Sequence, residues 1–280
     1  MIGKLRVALV AAVLVAMTLL LMPLQLLATR RGWPLAARLP RLWHRVACRV
    51  AGLRVTVVGA PARGRPLLIA ANHQSWADIM VMGAAAEISF IAKAEVRSWP
   101  GFGLLARLQR TVFVEREARR RTGHQADAIA RRMSAGDAMV LFAEGTTSNG
   151  NLVLPFKTSL FGAAQAALAH SGADTVMVQP AAIAYTRANG LPLGRYARPI
   201  AAWPGDVALG PHLLAFLKEG AIDAEIRFCE PMPFTAASNR KLVAATAERA
   251  VARALAEALS GRAPGQATPT VSPSAKDPTC

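Results

Sequence analysis

From Val7 to Thr29 the chain carries no charged residue and is apolar almost throughout. A helix over that run is about 34 Å long, enough to cross a hydrocarbon core of about 30 Å. Pro23 and Gln25 interrupt it near its end. The run therefore predicts a membrane element rather than a segment of a soluble core. Lys4 and Arg6 precede it, while Arg30, Arg31, Arg38, Arg41, Arg45 and Arg49 follow. Positive charge is heavier after the run, so the positive-inside rule holds the rest of the chain on the cytoplasmic face of a cell inner membrane. A cleaved secretory signal is the rival. The run is long for one, and two arginines directly after "QLLAT" make a poor cleavage site. Full crossing and half-embedding are both compatible with the pattern.

Trp33 to Cys48 reads as a second, amphipathic helix, with Leu35, Leu39, Leu42, Trp43 and Val46 at helical spacing and arginines between them. Beside a hydrophobic anchor, a basic amphipathic helix suits an anionic membrane surface; a core helix with solvated arginines fits the same spacing. The formal net charge of +16 asks for anionic partners. Nucleic acid is the partner that basicity alone suggests, but no recognised nucleic-acid-binding motif or aromatic stacking pattern accompanies it. Cys48, Cys229 and Cys280 are few and widely spaced. They support neither a disulfide framework nor a cysteine zinc site.

From about residue 52 short β-rich runs alternate with helical ones. The strand candidates are Leu53–Val58, Pro66–Ala71, Ile88–Ala92, Thr111–Val114, Ala138–Ala143, Val176–Tyr185 and Ala224–Cys229. The helix candidates are Trp76–Ala85, Arg116–Ser134, Ser159–His170, Pro211–Lys218 and Asn239–Leu259. Such alternation predicts an α/β fold, a mixed and mostly buried sheet flanked by helices. The chain then divides into N-terminal membrane-associated helices (1–50), one domain (51–260) and a tail (261–280). The tail is rich in Pro, Ser, Thr and Gly and is expected to be disordered.

The sharpest local feature is Asn72-His73-Gln74-Ser75-Trp76-Ala77-Asp78, which follows the apolar run "PLLIAA" and opens a predicted helix. His73 then stands at a strand exit, where polar side chains face a cleft. Asp78, in the first turn, can reach the imidazole if the chain bends there, fixing its tautomer and stabilising the imidazolium. The spacing alone fits a helix start with a buried, satisfied histidine equally well. No G-x-S-x-G elbow occurs, so a base here would activate something from outside, either water or a substrate hydroxyl. A second feature, Phe142-Ala143-Glu144-Gly145-Thr146-Thr147-Ser148, follows the apolar run "AMVLFA". A carboxylate, a glycine that permits close approach and three hydroxyls could form a polar pocket wall. Taken alone, an ordinary turn reads as well.

Together the Asn-His-x-x-x-x-Asp and Phe-x-Glu-Gly-Thr boxes, in this order, resemble those of the glycerolipid acyltransferase family, whose type member is 1-acylglycerol-3-phosphate O-acyltransferase. Val112-Phe113-Val114-Glu115-Arg116 is similar to the family's basic box, with Arg116 in the arginine position. Val178-Gln179-Pro180-Ala181 is similar to its last box, and Pro155-Phe156-Lys157 to the Pro-Phe-Lys that trails the third. The resemblance runs from about Leu53 to Cys229.

It implies direct transfer of a fatty acyl group from acyl-coenzyme A or acyl carrier protein to the hydroxyl of a lysolipid, with no cofactor and no metal. His73 would be the general base and Asp78 its orienting partner. Glu144 and Gly145 would hold the acceptor's head beside Thr146 and Thr147. Arg116 would meet an anionic group, and Pro180 would shape the pocket. The type member carries arginine where this chain has Thr147, so a charged contact to an acceptor phosphate is missing. Either Arg116 or Lys157 compensates, or the acceptor lacks a phosphomonoester, as does lyso-ornithine lipid, the acceptor of one branch of the family. A lipid hydrolase and an inert, membrane-anchored lipid-binding or scaffold protein are the alternatives.

Other signals are weaker. Gly101-Phe102-Gly103-Leu104-Leu105-Ala106 fits a dinucleotide fingerprint on paper, but Ser98-Trp99-Pro100 rather than a strand precedes it. A loop beside the cleft is expected there. Arg116, Arg119, Arg120, Arg121, Arg131 and Arg132 make a basic helix suited to lipid phosphates or an acidic acyl carrier. His44, His124, His170 and His212 lack metal-ligand spacing and read as structural or surface residues.

Overall fold

The computed structural model describes residues 2–114, 122–171 and 173–263. The apolar run lies in α1 (Ile2–Arg31) and the amphipathic segment in α2 (Leu35–Ala51). They form a hairpin, with Gly32 in the left-handed region at the turn. Gly52 ends α2 at φ +82° and donates its N–H to Arg49 and Cys48 carbonyls. A Cβ there would fall 1.6 Å from the Gly220 carbonyl oxygen, so only glycine permits this close approach.

Nine strands form one mixed sheet among the described residues. They are β1 (Leu53–Val58), β2 (Leu67–Ala71), β3 (Ser89–Lys93), β4 (Val112–Val114), β5 (Ala138–Phe142), β6 (Val176–Ala188), β7 (Leu191–Pro192), β8 (Ile222–Phe228) and β9 (Met232–Phe234). The order is β1-β8-β6-β2-β5-β3-β4, with β7 and β9 also paired to β6. Pairing is parallel from β6 through β2, β5 and β3 to β4, and β8 runs antiparallel to β6.

The central strand β2 reads Leu-Leu-Ile-Ala-Ala and is buried along its whole length. Its residues alternate between two cores, as a strand covered on both faces requires. Leu67, Ile69 and Ala71 join one core with residues of α1, α2, α3 (Ala77–Ala85) and α7 (Leu209–Glu219). Leu68 and Ala70 join the other with residues of α5 (Thr122–Ser134), α6 (Gly162–Ser171) and α8 (Arg240–Leu259). The expected α/β sandwich is thus present, and the N-terminal hairpin shares one of its cores through Val10, Cys48 and Ala51.

Both ends of α1 are tied to the domain. Arg6 donates to the carbonyls of Leu217, Ala51 and Gly220. Near the other end, buried Gln25 donates to the carbonyls of Ala36 and Leu108. Between these ties Leu9, Leu19 and Leu20 are more than 60% exposed, an apolar face larger than a soluble surface ordinarily carries.

The expected loop at Gly101–Ala106 is a helix, α4 (Phe102–Leu108), which Gly101 enters at φ +71°. Its seven residues are too few to show a period, and it forms against the α1 end that Gln25 ties to Leu108. β7 and β9 escape notice because two or three residues carry no alternation. β6 runs beyond Tyr185 to Ala188, past a bulge between Tyr185 and Arg187. The expected helix start at Arg116 lies outside the described residues, as does the expected disordered tail beyond residue 263.

Candidate active site

Three segments meet at the exit of β2. Asn72 continues the sheet with its side chain, its Nδ2 donating to the Ile183 carbonyl at 3.0 Å and its Oδ1 accepting from the Ile183 N–H at 2.8 Å. The chain then turns sharply into α3. Asp78 is fully buried at the start of that helix. Its Oδ2 accepts from His73 Nδ1 at 2.8 Å and from the backbone N–H groups of Gln74 at 2.7 Å and Ser75 at 2.9 Å. Its Oδ1 accepts from the Tyr185 hydroxyl at 2.8 Å. Tyr185 is also fully buried, and burial together with the Asp78 charge raises its pKa well above the usual phenol value. It therefore stays a donor.

This network fixes His73. With Nδ1–H given to the carboxylate, Nε2 holds the lone pair. The ring stacks on Phe142 at 4.0 Å and 13°, and 18% of the side chain is exposed, enough to meet a substrate. Close by in the chain, Ser75 Oγ accepts from the Ala77 N–H and Ser148 Oγ from the Gly150 N–H. The arrangement can accept a proton from an entering hydroxyl or water and stabilise the imidazolium that results.

Glu144 sits behind the base rather than at the surface. It is 1% exposed, its Oε1 accepts from the His73 N–H at 2.9 Å, and its Oε2 accepts from the Leu154 N–H at 3.1 Å. Burial pushes its pKa up to about 8, against the pull of those two N–H groups. Ser148 N–H donates back to the His73 carbonyl at 2.8 Å. The first and third boxes are thus laced together through backbone groups. Gly145, at φ +73°, turns the chain so that Thr146 is exposed and Thr147 half-buried. A turn at Pro204–Val207 lies over them. The Gly205 Cβ position is 3.1 Å from Thr146 Oγ1 and 3.8 Å from Thr147 Oγ1, and Trp203 N–H is bonded to the Gln74 carbonyl at 2.6 Å.

The other expected site residues sit differently. Lys157 has an exposed side chain, and its backbone N–H bonds the Ala143 carbonyl. Pro180 is buried in β6 opposite Ala70. By alternation it shares a sheet face with Val178 and Ala182, away from Ile183 and Tyr185. Its missing N–H falls where β6 passes from β9 to β8, with Cys229 N–H bonded to its carbonyl. A ladder bond is therefore not lost there. Arg116 lies outside the described residues.

Sequence reasoning missed Tyr185 and the stacking role of Phe142. Tyr185 is one of only two tyrosines in the chain and sits in an apolar strand. That was a usable signal, because a buried phenol needs a partner.

The chain resembles several known proteins. Residues 54–184 match the acyltransferase family model. A lyso-ornithine lipid O-acyltransferase of Brucella abortus is 56% identical over 90% of this chain and 94% of its own length. A 1-acyl-sn-glycerol-3-phosphate acyltransferase of Neisseria gonorrhoeae is 42% identical over 38% of this chain and 43% of its own. The solved structure of the 1-acyl-sn-glycerophosphate acyltransferase of Thermotoga maritima superposes with a TM-score of 0.59 at 22% identity, covering 91% of this chain and 97% of that one. This last likeness is one of fold.

Proposed function

The chain belongs to the acyltransferase family, and we propose that it transfers a fatty acyl group from an acyl thioester to the free hydroxyl of lyso-ornithine lipid at the cytoplasmic face of the inner membrane. The observation that carries the chemistry is the His73–Asp78 pair, whose carboxylate is saturated by fixed donors while the base edge of the imidazole is left for substrate. His73 Nε2 takes the proton of the acceptor hydroxyl as that oxygen attacks the thioester carbonyl. The carbon–sulfur bond breaks, and the departing thiolate recovers the proton from the imidazolium. Asp78 stabilises the imidazolium in between. Glu144 acts as a positioning residue that fixes the backbone of His73, leaving Gly145, Thr146 and Thr147 to face the acceptor. The donor is acyl carrier protein or coenzyme A.

Two features favour the amino-acid head over a phosphate. The likeness to the lyso-ornithine enzyme of Brucella abortus spans nearly the whole chain, whereas that to the phosphate-acceptor enzyme of Neisseria gonorrhoeae spans about a third of it. Thr147 also offers a hydroxyl in place of a charge. The membrane reading rests on α1. Its two ends are bonded to the same domain, so it lies along the domain with Leu9, Leu19 and Leu20 facing outward. That arrangement suits half-embedding in the near leaflet, with the flanking arginines at anionic head groups.

The test is acyl transfer by detergent-purified protein, wild type beside His73→Ala, with lyso-ornithine lipid or lysophosphatidic acid as acceptor and acyl carrier protein or coenzyme A as donor carrier. Product from lyso-ornithine lipid that is lost in His73→Ala supports the proposal; a positioned base contributes about 10²–10⁴ in rate. Product from lysophosphatidic acid alone overturns the acceptor assignment, and a variant retaining more than about a tenth of the wild-type rate overturns the base.

A further inference from the structure

A buried cation with no counter-charge among the described residues lies beside Gly150. Arg198 is 6% exposed. Its Nη2 donates to the Leu193 carbonyl at 3.1 Å, while Nε and Nη1 have no partner among the described residues. Gln74 Oε1 is likewise buried and without a partner among the described residues. The two side chains converge on Gly150, where an added Cβ would lie 2.1 Å from Gln74 Oε1 and 3.1 Å from Arg198 Cδ. Gln74 directly follows the base His73, and Gly150 follows Ser148, whose N–H is bonded to the His73 carbonyl. The unused guanidinium donors therefore sit beside the loop that presents Thr146 and Thr147.

Burying an unpaired charge destabilises a fold, and an apolar side chain of similar volume often stabilises it instead. A guanidinium kept in that state with donors to spare is poised for an oxyanion, which it meets through charge-assisted hydrogen bonds. Gln74 Oε1 occupies the place that a Gly150 side chain would take, so an entering oxyanion would reach Arg198 in place of that amide. We propose that Arg198 binds the anionic group of the acyl acceptor, the carboxylate of an ornithine head or the phosphate of a lysophosphatidic head, and so supplies the positive charge that Thr147 does not. The proposal rests on the reading of the chain as an acyltransferase of anionic lysolipids.

The experiment compares wild type, Arg198→Met and Arg198→Lys at saturating acyl donor, varying lyso-ornithine lipid and lysophosphatidic acid separately and recording thermal midpoints. Arg198→Met is expected to raise KM for the acceptor that the wild type uses by about tenfold or more. Its kcat should change little and its midpoint should stay level or rise, with Arg198→Lys intermediate in KM. The lipid whose KM moves identifies the oxyanion. An unchanged KM in Arg198→Met overturns the proposal, as does a parallel loss of kcat and thermal midpoint, which marks a structural residue. Transfer to neither lipid by the wild type overturns the proposed function and this inference with it, whereas transfer unaffected by Arg198→Met overturns the inference alone. If Arg198→Met does not fold, N-acetylornithine and inorganic phosphate are titrated into wild type and Arg198→Lys. A larger rise of the wild-type midpoint supports the contact, and no rise overturns it.

Discussion

Replacing Asp78 by asparagine separates two roles that are often lost together, the charge beside the base and the orientation of the base. In the wild type Oδ2 gathers three donors, the His73 Nδ1–H and the N–H groups of Gln74 and Ser75, and Oδ1 takes the Tyr185 hydroxyl. An amide nitrogen at the Oδ2 position would oppose three donors, so Asp78→Asn settles with its oxygen there. Its NH₂ then faces Tyr185, whose hydroxyl can rotate to accept. The imidazole keeps its tautomer, because an oxygen still faces Nδ1. What disappears is the negative charge next to the imidazolium that forms during transfer. A hydrogen bond to a charged group contributes about 1.5–3 kcal/mol, so kcat should fall by about 10–100-fold. A wrong tautomer would cost nearer 10⁴. The assay is acyl transfer at saturating acceptor and donor, with circular dichroism to verify folding. Full activity in Asp78→Asn would refute the charge argument. A loss near 10⁴ in a folded protein would refute the claim that the Gln74 and Ser75 N–H groups pin the oxygen.

Tyr185→Phe leaves the buried Asp78 Oδ1 without its donor and should lower stability by about 1–3 kcal/mol. Because Oδ2 still holds His73, transfer should fall by less than about tenfold in the same assay. Glu144 has a folded-state pKa raised to about 8. The stability linked to it is fully present below its unfolded value near 4.5, and is lost progressively as pH rises from there through about 8. Glu144→Gln should flatten that decline in thermal midpoint measured against pH, at the cost of one of the two backbone bonds; an unchanged slope would assign the decline to other groups. Thr147→Arg should raise the ratio of kcat/KM for lysophosphatidic acid to that for lyso-ornithine lipid, since it restores a charged donor at the acceptor loop. An unchanged ratio would count against position 147 as a determinant of the head group.

The features legible in the sequence are those that depend on neighbours in the chain. The β2 run, the turn after it and the five-residue step from His73 to Asp78 are local, and the bonded pair appears where the boxes place it. Tyr185 reaches Asp78 across 107 positions, through a β2–β6 pairing that no local pattern specifies. Glu144 illustrates the same limit. Its place after an apolar strand was readable, but whether the carboxylate faces solvent or the His73 backbone depends on how two loops cross. Pro180 sits in a strand as expected, yet the face it presents follows from sheet register. Arg198 gave no signal at all, because an isolated arginine among so many says nothing until its surroundings are known.

The bond between Tyr185 and Asp78 makes catalysis a reporter of strand alignment. Adjacent residues of a strand point to opposite faces, so sliding β6 along β2 by one step would turn Tyr185 away from Asp78. The same slip would move the Ile183 backbone groups that Asn72 holds at the exit of β2. A chain with a displaced sheet would thus carry a loosened base and a phenol turned into the opposite core, where Ala182 and Ala184 now pack. During refolding, acyl transfer should return only with the correctly aligned central strands, later than the helical signal of the N-terminal hairpin.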